Sequence, residues 1–246
     1  MDLRSSMEST GSFLFRWRSY LPIAMFGLLF WSTSQMTWPW GSHRLHGYVE
    51  DFCLGVSFLG LFVRAMVIGF TPEGTSGRNT TYQQAETLNT NGIYSIVRHP
   101  LYLGNFLIGL GPMILPLLWW LPILYLLAFA LYYERIMLAE EAFLRKKFGK
   151  QFLDWSERTP AFIPAFGKWK RADLPFSFRN VLKREYTAIA QILIGFFLVE
   201  ILEHYVIDDR LVIEPFWGIV ATIGIVQYLL LRTLKKYTQI LSVAGR

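Results

Sequence analysis

Residues 90–133 read TNGIYSIVRHPLYLGNFLIGLGPMILPLLWWLPILYLLAFALYY, and the fold turns on this stretch. No charged residue lies between Pro100 and Tyr133. About 20 apolar residues suffice to cross the hydrocarbon core of a bilayer. The run therefore predicts two membrane helices, residues 101–118 and 121–138, joined at Trp119-Trp120 as a tight hairpin. Pro100 lacks an N–H and biases His99 away from helical angles, so the first helix is expected to begin at Pro100 with His99 just outside it. Such a helix start offers unpaired N–H groups and the positive end of a dipole, which suits an anionic group. Arg98, His99, Tyr102 and Gly104 add a guanidinium, an imidazole, a phenol and a position where the backbone can approach a ligand closely.

Outward from this stretch, composition supports the same class. The chain has 246 residues, is 53% hydrophobic and has a mean hydropathy of +0.32. An all-α polytopic transmembrane bundle of about six spans is expected, at 20–38, 48–70, 101–118, 121–138, 186–205 and 212–234. Residues 1–19 form a polar N-terminal segment, expected to be poorly ordered or interfacial, and 20–246 a single membrane domain. Arg16 and Arg18 precede the first apolar run without a small-residue cleavage site after it, so a retained helix is expected, not a signal peptide. Of the 24 basic residues, 20 fall on the side shared by the termini and the two polar segments, with Arg44 and Arg210 opposite. That bias puts the termini, and the Arg98-His99 stretch, in the cytoplasm.

The net charge of +6 is accounted for by this asymmetry and by anionic lipid, so no nucleic-acid partner is expected. Cys53 is the single cysteine, which excludes an intrachain disulfide and a thiolate metal site. Of four histidines only His43 and His46 have ligand-like spacing. They are read as an interfacial pair in a short loop without a nearby acid, and no metal site is expected.

After the hairpin, residues 140–164 read EEAFLRKKFGKQFLDWSERTPAFIP. Leu144, Phe148 and Phe152 recur every four residues among basic ones, the pattern of a helix continuing out of the bilayer along its surface. Because the hairpin is tight, His99 and Tyr102 are expected beside Glu140 and Glu141. Two carboxylates with an Arg, a His and a Tyr make a polar pocket at the cytosolic ends of the third and fourth spans.

The two segments together resemble the isoprenylcysteine carboxyl methyltransferase and phospholipid methyltransferase family of integral membrane proteins. The resemblance rests on Gly92, Tyr94, Arg98, His99, Pro100, Tyr102 and Gly104, then Glu140, Glu141, Leu144, Phe148, Gly149, Pro160 and Pro164. It covers about residues 77–164, with a two-span extension at about 185–235. It implies S-adenosylmethionine as methyl donor and S-adenosylhomocysteine as product. Tyr94, His99, Pro100, Tyr102, Gly104, Glu140 and Glu141 would bind the donor; Glu141 is also a candidate for catalysis, as are Arg98 and Arg64 on the chemistry of the guanidinium.

For the acceptor, guanidiniums are the natural bidentate holders of phosphate or carboxylate, and Arg64, Arg78 and Arg98 are the candidates. The basic insert after Pro164 and the loop TSGRNTTYQQAETLNTNG favour an anionic lipid oxygen. That loop resembles bacterial members acting on lipid phosphate, including lipid A phosphate, which implies the bacterial inner membrane. Prenylcysteine carboxylate and the amine of phosphatidylethanolamine stay open as acceptors. Membrane sterol reductases, which use NADPH, share a distant likeness, but their His is not followed by this Pro-x-Tyr-x-Gly and Glu-Glu combination. A non-enzymatic scaffold leaves the convergence of polar groups unexplained.

Overall fold

The computed structural model describes residues 2–18, 20–72, 74–75 and 85–246, the side chains at 21–23 and 40 excepted. Among the described residues the chain is all-α, and its one strand-like feature is an isolated bridge between Gly92 and Lys170. Four helices are long and apolar enough to cross a membrane: α3 (His43–Phe70), α5 (Trp120–Phe148), α7 (Phe178–Asp208) and α8 (Pro215–Tyr237). Two more, α2 (Leu21–Thr33) and α4 (Pro100–Ile114), are apolar but only 13 and 15 residues long. At 1.5 Å per residue α4 covers about 22 Å, against roughly 30 Å of hydrocarbon. It stops early because Pro116 cannot continue the backbone ladder, and Leu117 turns the chain with a φ of 55°.

The partner helix of the hairpin is much longer. The 29 residues of α5 span about 43 Å, so its charged end reaches past the start of α4. It ends at Gly149, whose φ is 52°. The surface helix expected to run on from it is broken there, and the short α6 (Lys150–Ser156) tucks Phe152 fully inside. Between α4 and α5 runs a column of aromatic rings, with Tyr102 against Tyr133 at 4.7 Å and Phe106 against Phe129 at 5.1 Å.

A close backbone contact joins α3 to α4. A side chain on Gly104 would lie 2.8 Å from the Gly60 carbonyl and 2.5 Å from Arg64 Cγ, and one on Gly60 would lie 2.5 Å from the Gly104 carbonyl. Small residues at such crossings are how membrane helices approach without a hydrophobic driving force between them. Ser57 adds a hydrogen bond to the Ile108 carbonyl at 2.9 Å. From the other side, α7 is tied to the end of α3 by Asn180, whose amide donates to the Ile68 carbonyl at 2.8 Å.

The N-terminal segment, expected to be poorly ordered or interfacial, is an ordered helix. Leu3–Trp17 forms α1, capped by Asp2, whose side chain accepts from Ser5 N at 2.7 Å. It lies against the charged half of α5, where Tyr132 donates to the Leu14 carbonyl at 3.0 Å and Phe15 is buried. The missed signal is a stripe of Leu3, Met7, Gly11, Leu14 and Phe15 at helical spacing. A Cβ on Gly11 would lie 1.9 Å from the Arg135 carbonyl. Gly11→Leu is therefore expected to cost about 1–3 kcal/mol by overpacking and to lift α1 from α5. A lower melting temperature in detergent and faster proteolysis before residue 20 would report it. An unchanged melting curve and cleavage pattern would rule this contact out.

Candidate active site

The two halves of the motif are clamped together through the backbone. Arg98 N donates to Pro160 O at 2.9 Å, His99 N to Ala161 O at 3.1 Å, and Ala165 N to Ile96 O at 2.9 Å. Pro160 and Pro164 bias the residues before them to extended angles, which presents these carbonyls and N–H groups to the 96–99 stretch. His99 then sits as the residue just before α4, with φ −120° and ψ 58°, and Pro100 opens the helix.

Side chains on a helix tilt toward its N-terminus. Tyr102 therefore leans toward the His99 end of α4, while Glu140 and Glu141 lean back down α5 into the bundle, and the groups meet. His99 Nε2 lies 2.9 Å from Glu141 Oε1 and Nδ1 lies 3.7 Å from Glu140 Oε2. Tyr102 donates its hydroxyl to Glu140 Oε1 at 2.6 Å. The His99 and Tyr102 rings are stacked at 5.8 Å. Burial works against a charge on His99, but hydrogen bonds and the charges of Glu140 and Glu141 outweigh it. Its pKa is held above the ordinary histidine value, so the imidazolium persists to higher pH. Tyr94 sits in the turn just before, with Trp155 Nε1 donating to its carbonyl at 3.0 Å. Burial, helped by Glu140, pushes its phenol up.

Arg98 lies beside this cluster, its Nε 3.4 Å from Glu141 Oε1. That Nε is buried and makes no hydrogen bond, and the same holds for Arg145 Nε. Arg145 was not anticipated, although its place one turn after Glu141 puts both on one helix face. Two cavities flank the cluster. One of about 350 Å³ is bordered by Tyr94, Phe70, Asn91 and Asp173. The other, of about 550 Å³, is bordered by Arg98, Arg158, Lys168, Ile163 and Pro164.

Several expected roles are changed by the structure. Arg64 was expected to hold an anionic substrate, but its Nε and one terminal nitrogen each donate to Glu185 at 2.7 Å, and the other terminal nitrogen donates to Asn105. Its fork is filled from inside the protein, because α7 brings a carboxylate to the depth of span two. Gly104 was expected to admit a ligand, yet its open face is occupied by Gly60 and Arg64, so its small size serves the α3–α4 contact. Arg78 lies outside the described residues. His43 and His46 are not a loop pair without acids: both lie in the first turn of α3, and α7 and the start of α8 bring Glu200, Glu203, His204 and Glu214 against them. One acid was legible, since Glu50 follows His46 by one helical turn.

Comparison with known sequences bears on the same segment. Residues 54–151 match the family model described as phospholipid methyltransferase. A cobalt-zinc-cadmium resistance protein of Cupriavidus metallidurans is 32% identical over 157 residues, which cover 63% of this chain and 64% of that protein. A nickel-cobalt-cadmium resistance protein of Alcaligenes xylosoxydans xylosoxydans is 42% identical over 91 residues, 36% of this chain and 39% of that protein. Protein-S-isoprenylcysteine O-methyltransferase B of Arabidopsis thaliana is 28% identical over 135 residues, 49% of this chain and 62% of that protein. The chain thus spans 39–64% of the length of these relatives. No solved structure matches it. Residues 54–151, which hold α4, α5 and the His99–Glu141 cluster, are thus similar to the phospholipid methyltransferase family, and the chain's relatives include an isoprenylcysteine O-methyltransferase.

Proposed function

We propose that the protein is an S-adenosylmethionine-dependent methyltransferase working at the cytoplasmic face of a membrane, in bacteria the inner membrane. The observation that carries this reading is the cluster of His99, Tyr102, Glu140 and Glu141, flanked by Arg98 and Arg145, whose buried Nε atoms make no hydrogen bond. These groups fit the donor. Glu140 and Glu141 would accept from its amino group or ribose hydroxyls, and Arg98 and Arg145 would take its carboxylate. Pro100 opens the helix, the His99 carbonyl accepts from the Tyr102 and Leu103 N–H groups of its first turn, and Tyr94 borders the smaller cavity. When bound, S-adenosylmethionine supplies a methyl group on a sulfonium, open to in-line attack.

The chain's own residues then have to position and dehydrate the acceptor. An ionised phosphate or carboxylate oxygen is already nucleophilic and needs no general base, whereas an amine would. The larger cavity, with Arg98, Arg158 and Lys168 beside Ile163 and Pro164, suits a lipid with an anionic head and an apolar neighbour. We therefore retain an anionic lipid oxygen, with a lipid phosphate such as that of lipid A as the first choice. Prenylcysteine carboxylate meets the same oxygen chemistry. Two of the relatives are named for resistance to cobalt, zinc, cadmium or nickel. Methylating a lipid phosphate removes one anionic oxygen that such cations bind, a chemistry in keeping with those names.

The test is lipid mass spectrometry of cells expressing the protein, looking for a mass gain of one CH₂ in each lipid class. A gain on a phosphate head that disappears in Arg98→Ala and is mostly lost in Arg98→Lys is expected, because an ammonium cannot reproduce the guanidinium fork. A gain confined to ethanolamine amines would overturn the oxygen acceptor, and one on prenylated cysteine would replace the lipid.

A further inference from the structure

At the end of the bundle away from His99, four side chains from three helices converge. His43 opens α3, Glu200 and His204 lie one turn apart near the end of α7, and Glu214 precedes α8. His43 is 21 positions before Arg64 on α3, so this cluster is about 32 Å of helix from the Arg64 level, at the opposite end of α3 from the methyl-transfer site. We propose that His43, Glu200, His204 and Glu214 form a binding site for a divalent transition-metal cation of the zinc type, reached from the face of the membrane opposite the active site.

His204 Nε2 lies 3.3 Å from Glu200 Oε1 and 3.9 Å from Glu214 Oε1. His43 Nε2 lies 3.6 Å from Glu200 Oε1, and His43 Nδ1 lies 3.6 Å from Glu214 Oε1. None of these contacts is a hydrogen bond, and three are too long for one. Two donors on one zinc ion, each bonded at 2.0–2.2 Å in a tetrahedron, stand about 3.3–3.5 Å apart. Taking one donor atom from each of the four side chains, all lie within 4.8 Å of one another, so His43 offers either Nε2 or Nδ1 and a small inward shift brings the set to that spacing.

Both carboxylate oxygens of Glu200, together with His43 Nε2 and His204 Nε2, are buried and lack a hydrogen-bond partner. Glu200 is only 2% exposed; beside the two imidazoles it faces the carboxyl of Glu50, and among the described residues no Lys or Arg pairs with it. A buried carboxylate without a cation or a hydrogen bond is costly. Two carboxylates and two neutral imidazoles around a divalent ion leave no net charge.

The surroundings also match what a metal site needs. Asp208 lies 2.7 Å from His204 Nδ1 and accepts its proton, which leaves the Nε2 lone pair facing Glu200 and Glu214. A carboxylate behind a ligating histidine fixes the tautomer in this way. Asp208 is itself held by Trp38 Nε1 at 3.3 Å, and the Trp38 ring lies 4.7 Å from His43 and 5.5 Å from His204. Beneath, His46 is already hydrogen-bonded to Glu203 at 3.0 Å, and Glu50 accepts from Trp217 at 3.2 Å, so this inner group supports the site. Side chains of His43 and Glu214 keep about a third of their surface exposed, 34% and 36%, which gives an ion a way in. Imidazole with carboxylate suits zinc and its neighbours better than magnesium or calcium.

The experiment uses the full chain in detergent, stripped with a chelator and dialysed against Zn²⁺ alone, with Co²⁺ as a spectroscopic reporter. One Zn²⁺ per chain and the intense visible bands of four-coordinate Co²⁺ are expected. Asp208→Asn should weaken Zn²⁺ binding about 10- to 100-fold, and His43→Ala with His204→Ala should abolish it. The Glu141→Ala protein should keep its Zn²⁺, so failure of the methyl-transfer reading and failure of this one are separable. Wild-type protein that takes up no Zn²⁺ would overturn the proposal and leave a cluster of shared protons. Unchanged affinity in the double variant would overturn it equally. If that variant does not fold, the wild-type Co²⁺ spectrum decides, since the pale bands of six-coordinate Co²⁺ would exclude this donor set.

Discussion

Replacing Glu141 with alanine is expected to weaken S-adenosylhomocysteine binding by about 30- to several-thousand-fold, the range for truncating one partner of a partly buried charge pair. Glu141 faces His99 Nε2 at 2.9 Å and Arg98 Nε at 3.4 Å. It is therefore the carboxylate through which the imidazole and the guanidinium are held in register. Glu140 is expected to matter as well, since it fixes the Tyr102 hydroxyl. The fold should survive the change, because Glu140 remains 3.7 Å from His99 Nδ1 and the aromatic column below is untouched. Titration of S-adenosylhomocysteine into detergent-solubilised protein, with a melting curve of each variant, measures both effects. Unchanged affinity in Glu140→Ala and Glu141→Ala alike would sink the donor assignment.

The second large effect is one of stability. Glu185 is 1% exposed and Arg64 17%, and the guanidinium meets the carboxylate through two bonds of 2.7 Å. Removing either partner leaves a charge deep in the bundle without a counter-ion, so Arg64→Met or Glu185→Met alone should cost about 3–5 kcal/mol. Replacing both together should cost far less, because the desolvation of two charges disappears with their attraction. A double-mutant cycle in melting temperature and in S-adenosylhomocysteine affinity tests this. Near-normal stability in Arg64→Met with lost methyl transfer would return Arg64 to substrate binding. Full recovery of stability in the double variant would establish the pair as a strut between α3 and α7.

Which parts of this could be read along the chain follows from range. The hairpin, the helix start at Pro100 and the nearness of His99 to Glu140 and Glu141 are consequences of local rules: apolar length, proline geometry, and a turn too short to let two helices part. Those rules act over a few residues or over one antiparallel pair, so the sequence by itself determined the helical membrane class and the pairing at the heart of the candidate site. It missed α1 because the Gly11 stripe looks polar until α5 is there to cover it. What only the tertiary structure decided involves partners from helices far apart in the chain. Arg64 looked free for a substrate because Glu185 stands on α7, within a basic run that reads as cytosolic. Gly104 looked like a ligand contact because Gly60 stands on another helix. His43 and His46 looked like a pair without acids because Glu200, Glu203, His204 and Glu214 lie at the other end of the sequence. A buried charge or donor is defined by what completes its coordination, and in this bundle the completing groups arrive through the packing of α7 and α8 on α3.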